Sequence, residues 1–189
     1  VPTPRPDEGS VLLRVDRVGV TANNVTYALF GESMRYWEFF PAEDGWGRVP
    51  LWGFCEVEES RVDAVPVGTR LYGYLPTSSH LVVQPDRVTP PGFRDARAHR
   101  QHLPSPYNRL TTIGGDPAYE AEREALQVIY RPLFMTACML ADFLQDNDFF
   151  GGDPGAYARL SNDCQDEITR GEFTRQQLLA VGLIEGFLE

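Results

Sequence analysis

The pattern of apolar and polar positions predicts β structure over residues 11–88. In the first strand, apolar residues alternate with polar ones over residues 11–15 and continue out of phase over residues 18–20. One extra residue near Arg17 would produce this change of phase, and a β-bulge is the feature that supplies it. The sequence therefore predicts a bulged strand as the first element.

Three further strands follow from the same period of two and are bounded by Gly and Pro residues. They lie at residues 49–57, 70–75 and 80–84, and a turn at Gly68 leads into the second of these. Short strands at this spacing favour a small antiparallel barrel or a sandwich over a parallel sheet. Residues 36–47, between the first two strands, are rich in aromatic residues and glycine, and they either cap the barrel or line a cleft.

Helices are predicted after a connector. Residues 92–115 are polar and contain several prolines, which indicates a segment that is mostly loop. Asp116 and the proline that follows it begin one helix, Pro132 ends it, and a second helix runs from Leu133 to about residue 151. The predicted organisation is a barrel domain at 1–88, a connector with two helices at 89–152 and a two-helix tail at 153–189.

The tail has an unusual final helix. A capping box from Thr174 to Gln177 begins it, and apolar residues then occupy much of its circumference. Such a helix is stable only when it is buried. We therefore expect it to pack on the barrel or to form a homodimer with a second copy of the chain.

Composition excludes several classes of function. The formal net charge of −10 argues against nucleic acid and anionic membranes as partners. All 17 basic residues are arginine, so no mechanism can use a lysine base or Schiff base. From its apolar stretches we expect no transmembrane helix and no signal peptide. The 3 widely spaced cysteines suit free thiols in a reducing cytoplasm. Because it opens at Val1, we expect a processed, trimmed or fragmentary chain.

Several blocks of sequence resemble the GroES-like N-terminal domain of the medium-chain dehydrogenases and reductases. The blocks that resemble the superfamily as a whole are residues 11–21, 67–73 and 81–88. Those similar to an uncharacterised bacterial branch of unassigned function are residues 21–28, 36–41, 50–54 and 144–151. The likeness covers about residues 1–152, and it implies an α+β fold in which a small GroES-like antiparallel barrel precedes a helical segment.

The chain departs from the zinc-containing members of that superfamily at one strand. Those enzymes carry a Gly-His-Glu motif where this chain has Gly53, Phe54 and Cys55, so phenylalanine replaces a histidine ligand. No group of four cysteines follows. We therefore expect no catalytic or structural zinc, and the resemblance points to the zinc-free quinone and enone reductases.

A second departure concerns the nucleotide-binding half. In the superfamily, a helix resembling residues 133–144 leads into a Rossmann domain, whereas here Gly151, Gly152 and Gly155 follow a helix and not a strand. The last 37 residues are too few and too helical to form such a domain. We expect the Rossmann domain to be absent through truncation or deletion, so that this chain does not bind the NADP that the family resemblance implies.

The resemblance also suggests catalytic and cofactor residues. Asn23, Asn24 and Tyr27 correspond to polar residues beside the nicotinamide and the substrate carbonyl, where an amide orients the carbonyl and a phenol donates a proton. An alternative is that Asn23 or Asn24 caps a short helix. Thr136 resembles a threonine near the cofactor ribose, or it bonds back to its own helix.

Aromatic and histidine residues complete the candidates. Tyr36, Trp37 and Trp52 either form an apolar slot for a flat substrate or pack in the core. His99 and His102 have a spacing seen in metal sites, but no third ligand is nearby, and ordinary surface histidines are the simpler interpretation.

Two functions remain open. The parent protein is either a zinc-free, NADP-dependent oxidoreductase of a carbonyl or enone, with this chain as its substrate-side half, or the chain is a non-catalytic binding or scaffold module. In the first case the chain alone is expected to be inactive. The sequence names no substrate.

Overall fold

The computed structural model describes residues 3–116 and 118–146. The chain divides into two compact units, Val1–Val128 and Ile129–Glu189. The first unit is built on a seven-stranded antiparallel sheet in the order β4-β1-β2-β3-β7-β6-β5. Its strands are β1 (Val11–Val18), β2 (Pro50–Ser60), β3 (Arg70–Pro76), β4 (His80–Val83), β5 (Pro85–Thr89), β6 (Gly92–Asp95) and β7 (Arg109–Thr112).

The order of the strands makes the sheet curl. Strands β4 and β5 lie at opposite ends of the sheet, yet only Gln84 separates them along the chain. A flat sheet would hold its two end strands far apart, so this short connection requires the sheet to bend round towards itself. The result is a curled half-barrel. The alternating pattern predicts its antiparallel β fold.

The predicted bulge in β1 is confirmed. Val15 pairs with Cys55 and Arg17 pairs with Phe54, so Asp16 is the extra residue on the β1 side. The change of phase keeps Val18 on the same face as Val15, and both pack against the core in which Val11 and Leu13 are fully buried. The core of the barrel is apolar and consists of Val11, Leu13, Cys55, Val57, Val65, Leu71, Leu75, Val83, Phe93 and Leu110.

The connector at 92–115 is not mostly loop, and this part of the prediction is wrong. It contains β6 and β7, which continue the sheet beyond residue 88 and pair β7 with β3. Only Phe93 and Leu110 of these strands enter the core. Leu110 lies over Gly73, where an added Cβ would come within 2.6 Å of its Cδ2, so a glycine in β3 admits this contact.

The helices also differ from expectation. Helix α1 (Ala22–Leu29) follows β1, and α2 (Glu124–Asp146) is a single helix with Pro132 inside it. The predicted start at Asp116 and the predicted break at Pro132 are therefore both wrong. A proline removes one backbone N–H from the helix, but the apolar residues on both sides continue the helical pattern.

Two features complete the description. Among residues 3–116 and 118–146, no helix combines the length and the apolar character that a membrane span needs. The predicted tail helices at 153–189, and with them the proposed dimer contact, lie outside the described residues.

Candidate functional site

Aromatic side chains gather on one side of the first unit, where α1, the segment 36–40, strands β2 and β3, and the segment 103–107 meet. Four members are tyrosines, so the group combines apolar ring faces with phenol hydroxyls. We call it the aromatic cluster, and its members are Tyr27, Tyr36, Phe39, Phe40, Trp52, Tyr74, Leu103 and Tyr107.

Tyr27 lies at the partly exposed edge of the aromatic cluster. Its ring centroid is 4.6 Å from that of Tyr36 and 5.8 Å from that of Tyr74. Burial raises the pKa of Tyr27 to about 12, and the neighbouring phenols of Tyr107 and Tyr36 add to the effect. Tyr27 is therefore a neutral phenol, able to donate a hydrogen bond or a proton, at any physiological pH.

Tyr74 lies deeper in the cluster and is 1% exposed. Its ring centroid is 4.7 Å from that of Tyr107 and 5.0 Å from that of Trp52. Burial raises the pKa of Tyr74, and the charge of Arg100 opposes the rise. Within the described residues its hydroxyl makes no hydrogen bond of standard geometry. A buried hydroxyl in this state costs about 1–3 kcal/mol.

Asn24 joins α1 to the start of β2. Its Oδ1 accepts a hydrogen bond from the backbone N–H of Thr21 at 2.6 Å, and its Nδ2 donates to the carbonyl of Pro50 at 3.0 Å. The residue is 8% exposed. Both ends of the amide are used in fixing the helix, so Asn24 positions α1, in line with the alternative role in helix capping.

Asn23 is differently placed. It is half-buried and precedes Tyr27 by four residues, so the two side chains share one face of α1. Asn24, three residues before Tyr27, is also within reach of it by this spacing, but its amide is bonded to Thr21 and Pro50.

The predicted aromatic slot is only partly assembled. Tyr36 and Trp52 belong to the aromatic cluster, and Trp52 also stacks on Tyr72 with ring centroids 5.7 Å apart. Trp37 packs elsewhere, against the Cα atoms of Gly31 and Gly47. An added Cβ would lie 2.0 Å from its ring at the first glycine and 2.8 Å at the second.

A buried arginine behind the aromatic cluster escaped the sequence-based prediction. Arg100 is 2% exposed and forms an ion pair with Asp95, Nη1 to Oδ2 at 3.1 Å. It also donates to Oδ1 of Asn108 at 2.8 Å and to the carbonyl of Tyr107 at 2.7 Å. Its guanidinium lies 4.9 Å from the ring centroid of Phe40. Nothing in the polar segment 92–115 distinguishes this arginine from a surface residue.

The two histidines of that segment do not converge. His102 Nε2 lies 2.7 Å from Glu38 Oε2, while His99 is half-buried, and burial lowers the pKa of its imidazole. Glu38 also accepts from Arg35, and these contacts lower the pKa of Glu38 to about 2. Among the residues that the structure describes, no three His, Cys, Asp or Glu side chains form a group suited to a metal ion. That the protein lacks zinc stays a prediction.

Phe54 lies among apolar side chains and beside an ion pair. It packs with Tyr72 and Val128, and the guanidinium of Arg70 lies 5.5 Å from its ring centroid. Arg70 in turn donates to both carboxylate oxygens of Glu124, at 2.6 and 2.7 Å. This ion pair attaches the first turn of α2 to the sheet.

Thr136 lies in the second unit. Its hydroxyl donates to the carbonyl of Pro132 at 3.0 Å, which is the back-bonded arrangement that its position in a helix allows. That Thr136 lies near a cofactor ribose stays a prediction.

A comparison with protein families shows which family the chain belongs to. A family model described as "Protein of unknown function (DUF2855)" matches residues 18–160. The chain belongs to this family. The part of it that matches the DUF2855 model includes the whole aromatic cluster and helix α2. No curated protein sequence matches the chain.

Proposed function

We propose that this DUF2855 member is the substrate-side domain of a zinc-free oxidoreductase, with a GroES-like fold, and that the aromatic cluster binds a flat carbonyl or enone compound. One observation carries the proposal: the neutral phenol of Tyr27 stands at the partly exposed edge of a group of aromatic rings. An apolar surface with one well-placed donor is the usual composition of a small-molecule site.

The proposed chemistry is a hydrogen bond followed by proton donation. The carbonyl oxygen of the bound compound accepts from the Tyr27 hydroxyl, and the amide of Asn23, one turn earlier on α1, orients it. The rings of Tyr36 and Trp52 supply flat faces for an unsaturated or aromatic substituent. Asn24 contributes indirectly, since its bond to Pro50 fixes the helix that carries Tyr27.

The described residues do not by themselves fit NADP. Every strand pairing among them is antiparallel, so they include no parallel strand-turn-helix unit of the kind that holds a dinucleotide diphosphate. The Thr136 hydroxyl is engaged with its own helix. The proposal therefore assigns two roles to these residues, binding the carbonyl compound and donating the proton. It assigns them no role in hydride transfer.

The test uses acetophenone, with natural and ¹³C-labelled carbonyl, as a flat ketone. Isotope-edited infrared difference spectra of the complex report the strength of the hydrogen bond to its carbonyl oxygen. We expect saturable binding and a carbonyl band at lower frequency than in water. In Tyr27→Phe the band should return towards its position in an apolar solvent. Trp46→Phe is the matched control, because Trp46 is 79% exposed and outside the cluster.

Two results would count against the proposal. Absence of saturable binding would reject the aromatic cluster as a site. Binding with a carbonyl band unaffected by Tyr27→Phe would favour the rival function, a binding module without catalysis.

A further inference from the structure

A serine, a histidine and a glutamate meet on the face of the sheet that is turned away from the core. The Oγ atom of Ser79 lies 3.0 Å from Nδ1 of His80, and Nε2 of the same ring lies 3.2 Å from Oε2 of Glu58. The strand neighbours Val57 and Leu81 pack in or against the core, so His80 and Glu58 point the other way. None of the three belongs to the aromatic cluster.

A β-bulge places Glu58 in this group. Leu12 on β1 pairs with Glu59. The next residue, Leu13, pairs with Val57, so Glu58 is the extra residue on the β2 side. A bulge leaves its extra residue outside the ladder and re-aims the side chain. Strand β1 separates β2 from β4, and the Glu58 carboxylate reaches across it to an imidazole on β4.

The turn before β4 is held by backbone contacts. The N–H of Val15 on β1 donates to the carbonyl of Ser79 at 2.8 Å, and the Ser78 hydroxyl donates to the carbonyl of His80 at 2.8 Å. In the register, His80 lies opposite Arg14 of β1. A fixed backbone therefore carries both the hydroxyl and the imidazole, as a pair of reacting groups requires.

The chemistry of the three groups sets the direction of their hydrogen bonds. A carboxylate can only accept, so Nε2 of His80 carries the ring proton and donates it to Glu58. In the neutral ring Nδ1 is then the acceptor, and the hydroxyl of Ser79 donates to it. A serine that donates to an imidazole, which in turn is oriented by a carboxylate, is the arrangement of an activated nucleophile.

The exposure of the three groups suits this role. Ser79 is exposed, whereas the side chain of His80 is 17% exposed. The nucleophilic oxygen therefore meets solvent while most of the base is covered. Arg14 Nε lies 3.7 Å from the same Oε2 atom of Glu58, so a cation helps to hold the carboxylate beside the ring.

We propose that Ser79 is a nucleophile that accepts an acyl group from an activated ester, with His80 as its general base and Glu58 as a positioning residue. This activity is independent of the carbonyl site proposed above. In the step, the Ser79 oxygen forms a bond to the acyl carbon while its proton passes to Nδ1 of His80. The bond from the acyl carbon to the leaving oxygen breaks, and the leaving group takes that proton. Water then attacks the acyl carbon in the same way, which releases a carboxylic acid and restores Ser79.

The test is acylation of the full chain by p-nitrophenyl acetate. We expect a burst of p-nitrophenolate that matches the amount of chain, and peptide mass spectrometry should locate the acetyl group on Ser79. Ser79→Ala should remove the burst, and His80→Gln should slow it about 10²-fold or more, the usual contribution of a general base. Ser78 is the internal control, because it is an exposed hydroxyl in the same turn that donates to a backbone carbonyl and not to an imidazole.

The role of Glu58 is tested by a spectroscopic signature as well as by rate. An imidazole N–H that donates to a carboxylate forms a strong, charge-assisted hydrogen bond, and its proton resonance therefore lies at low field. Glu58→Gln should move this resonance of His80 upfield and slow the acylation. Glu59→Gln is the matched control at the next position of β2, where the carboxylate pairs with Arg61, and it should change neither.

Three results would overturn the inference. The first is an acetyl group spread over Ser78, Ser79 and other exposed side chains of the unaltered chain, a measurement that needs no variant to fold. The second is an equally fast burst in His80→Gln, since the imidazole would then take no part in the chemistry. The third is an unchanged resonance and an unchanged rate in Glu58→Gln.

Discussion

Asp95 and Arg100 form an ion pair whose two side chains are 1% and 2% exposed. The other oxygen of Asp95 accepts from the backbone N–H of Gln84 at 3.0 Å, so the pair also fastens the short link between β4 and β5. Removing one partner of a buried ion pair typically costs about 3–5 kcal/mol, because the remaining charge is left without compensation.

Asp95→Asn should therefore lower the free energy of unfolding by several kcal/mol in urea titrations. Glu59→Gln is the comparison, since it breaks the exposed pair between Glu59 and Arg61, and exposed pairs are worth about 1 kcal/mol or less. Equal, small effects of both substitutions would contradict the structural role assigned to Arg100.

The two asparagines of α1 should respond oppositely to the same substitution. Asn24→Asp places a carboxylate oxygen against the Pro50 carbonyl in place of a donor, and the expected loss is about 1–3 kcal/mol. Asn23→Asp adds an acidic group to the first turn of α1, where it interacts favourably with the helix dipole. Thermal melts at neutral pH should show a lower melting temperature for the first variant and an equal or slightly higher one for the second. An unchanged melting temperature in Asn24→Asp would mean that Asn24 does not fix the helix.

Alkaline pH should destabilise the chain through its buried phenols. Burial raises the pKa of Tyr27 from 10.0 to about 12 and raises that of Tyr74 as well. The unfolded chain therefore loses these protons first as the pH increases. The stability they contribute is complete below pH 10 and declines as the pH rises through the folded values. In urea titrations at successive pH values, Tyr74→Phe should show a shallower decline above pH 10 than the unaltered chain. Identical slopes would show that Tyr74 ionises as readily folded as unfolded.

Cys55 should be unreactive in the folded chain. It is fully buried in the core of the half-barrel, and burial raises the pKa of its thiol to about 12. At neutral pH the thiol is therefore protonated and out of reach of a reagent in solution. In a variant with Cys138→Ser and Cys164→Ser, Ellman's reagent should release colour only after urea is added. Rapid reaction without urea would mean that the core opens locally.

The sequence predicts the strands well wherever one face enters the core. The alternation in β1 and β2, and the bulge at Asp16, follow from apolar residues that must all point inwards. Strands β6 and β7 escape prediction because Phe93 and Leu110 alone reach the core, and pairing with distant strands decides the rest.

The candidate site is predictable only in part for a similar reason. Tyr36 and Trp52 lie in one cluster with Tyr27, but Trp37 turns towards Gly31 and Gly47, since neighbouring residues in the chain point in different directions. The burial of Tyr74 and Arg100 depends on packing against Phe39 and Phe40, far away in sequence, and a single sequence carries no signal of such contacts.

The position of β7 has a consequence for the growing chain on the ribosome. β3 is covered on one side by β2, which is made before it, and on the other by β7, which is made after three intervening strands. Until Leu110 has emerged and settled over Gly73, the nascent protein exposes an open β edge of largely apolar residues, the kind of edge that recruits strands from other chains. During synthesis there is therefore an interval in which the nascent chain avoids aggregation either by adding β7 quickly or by binding a chaperone.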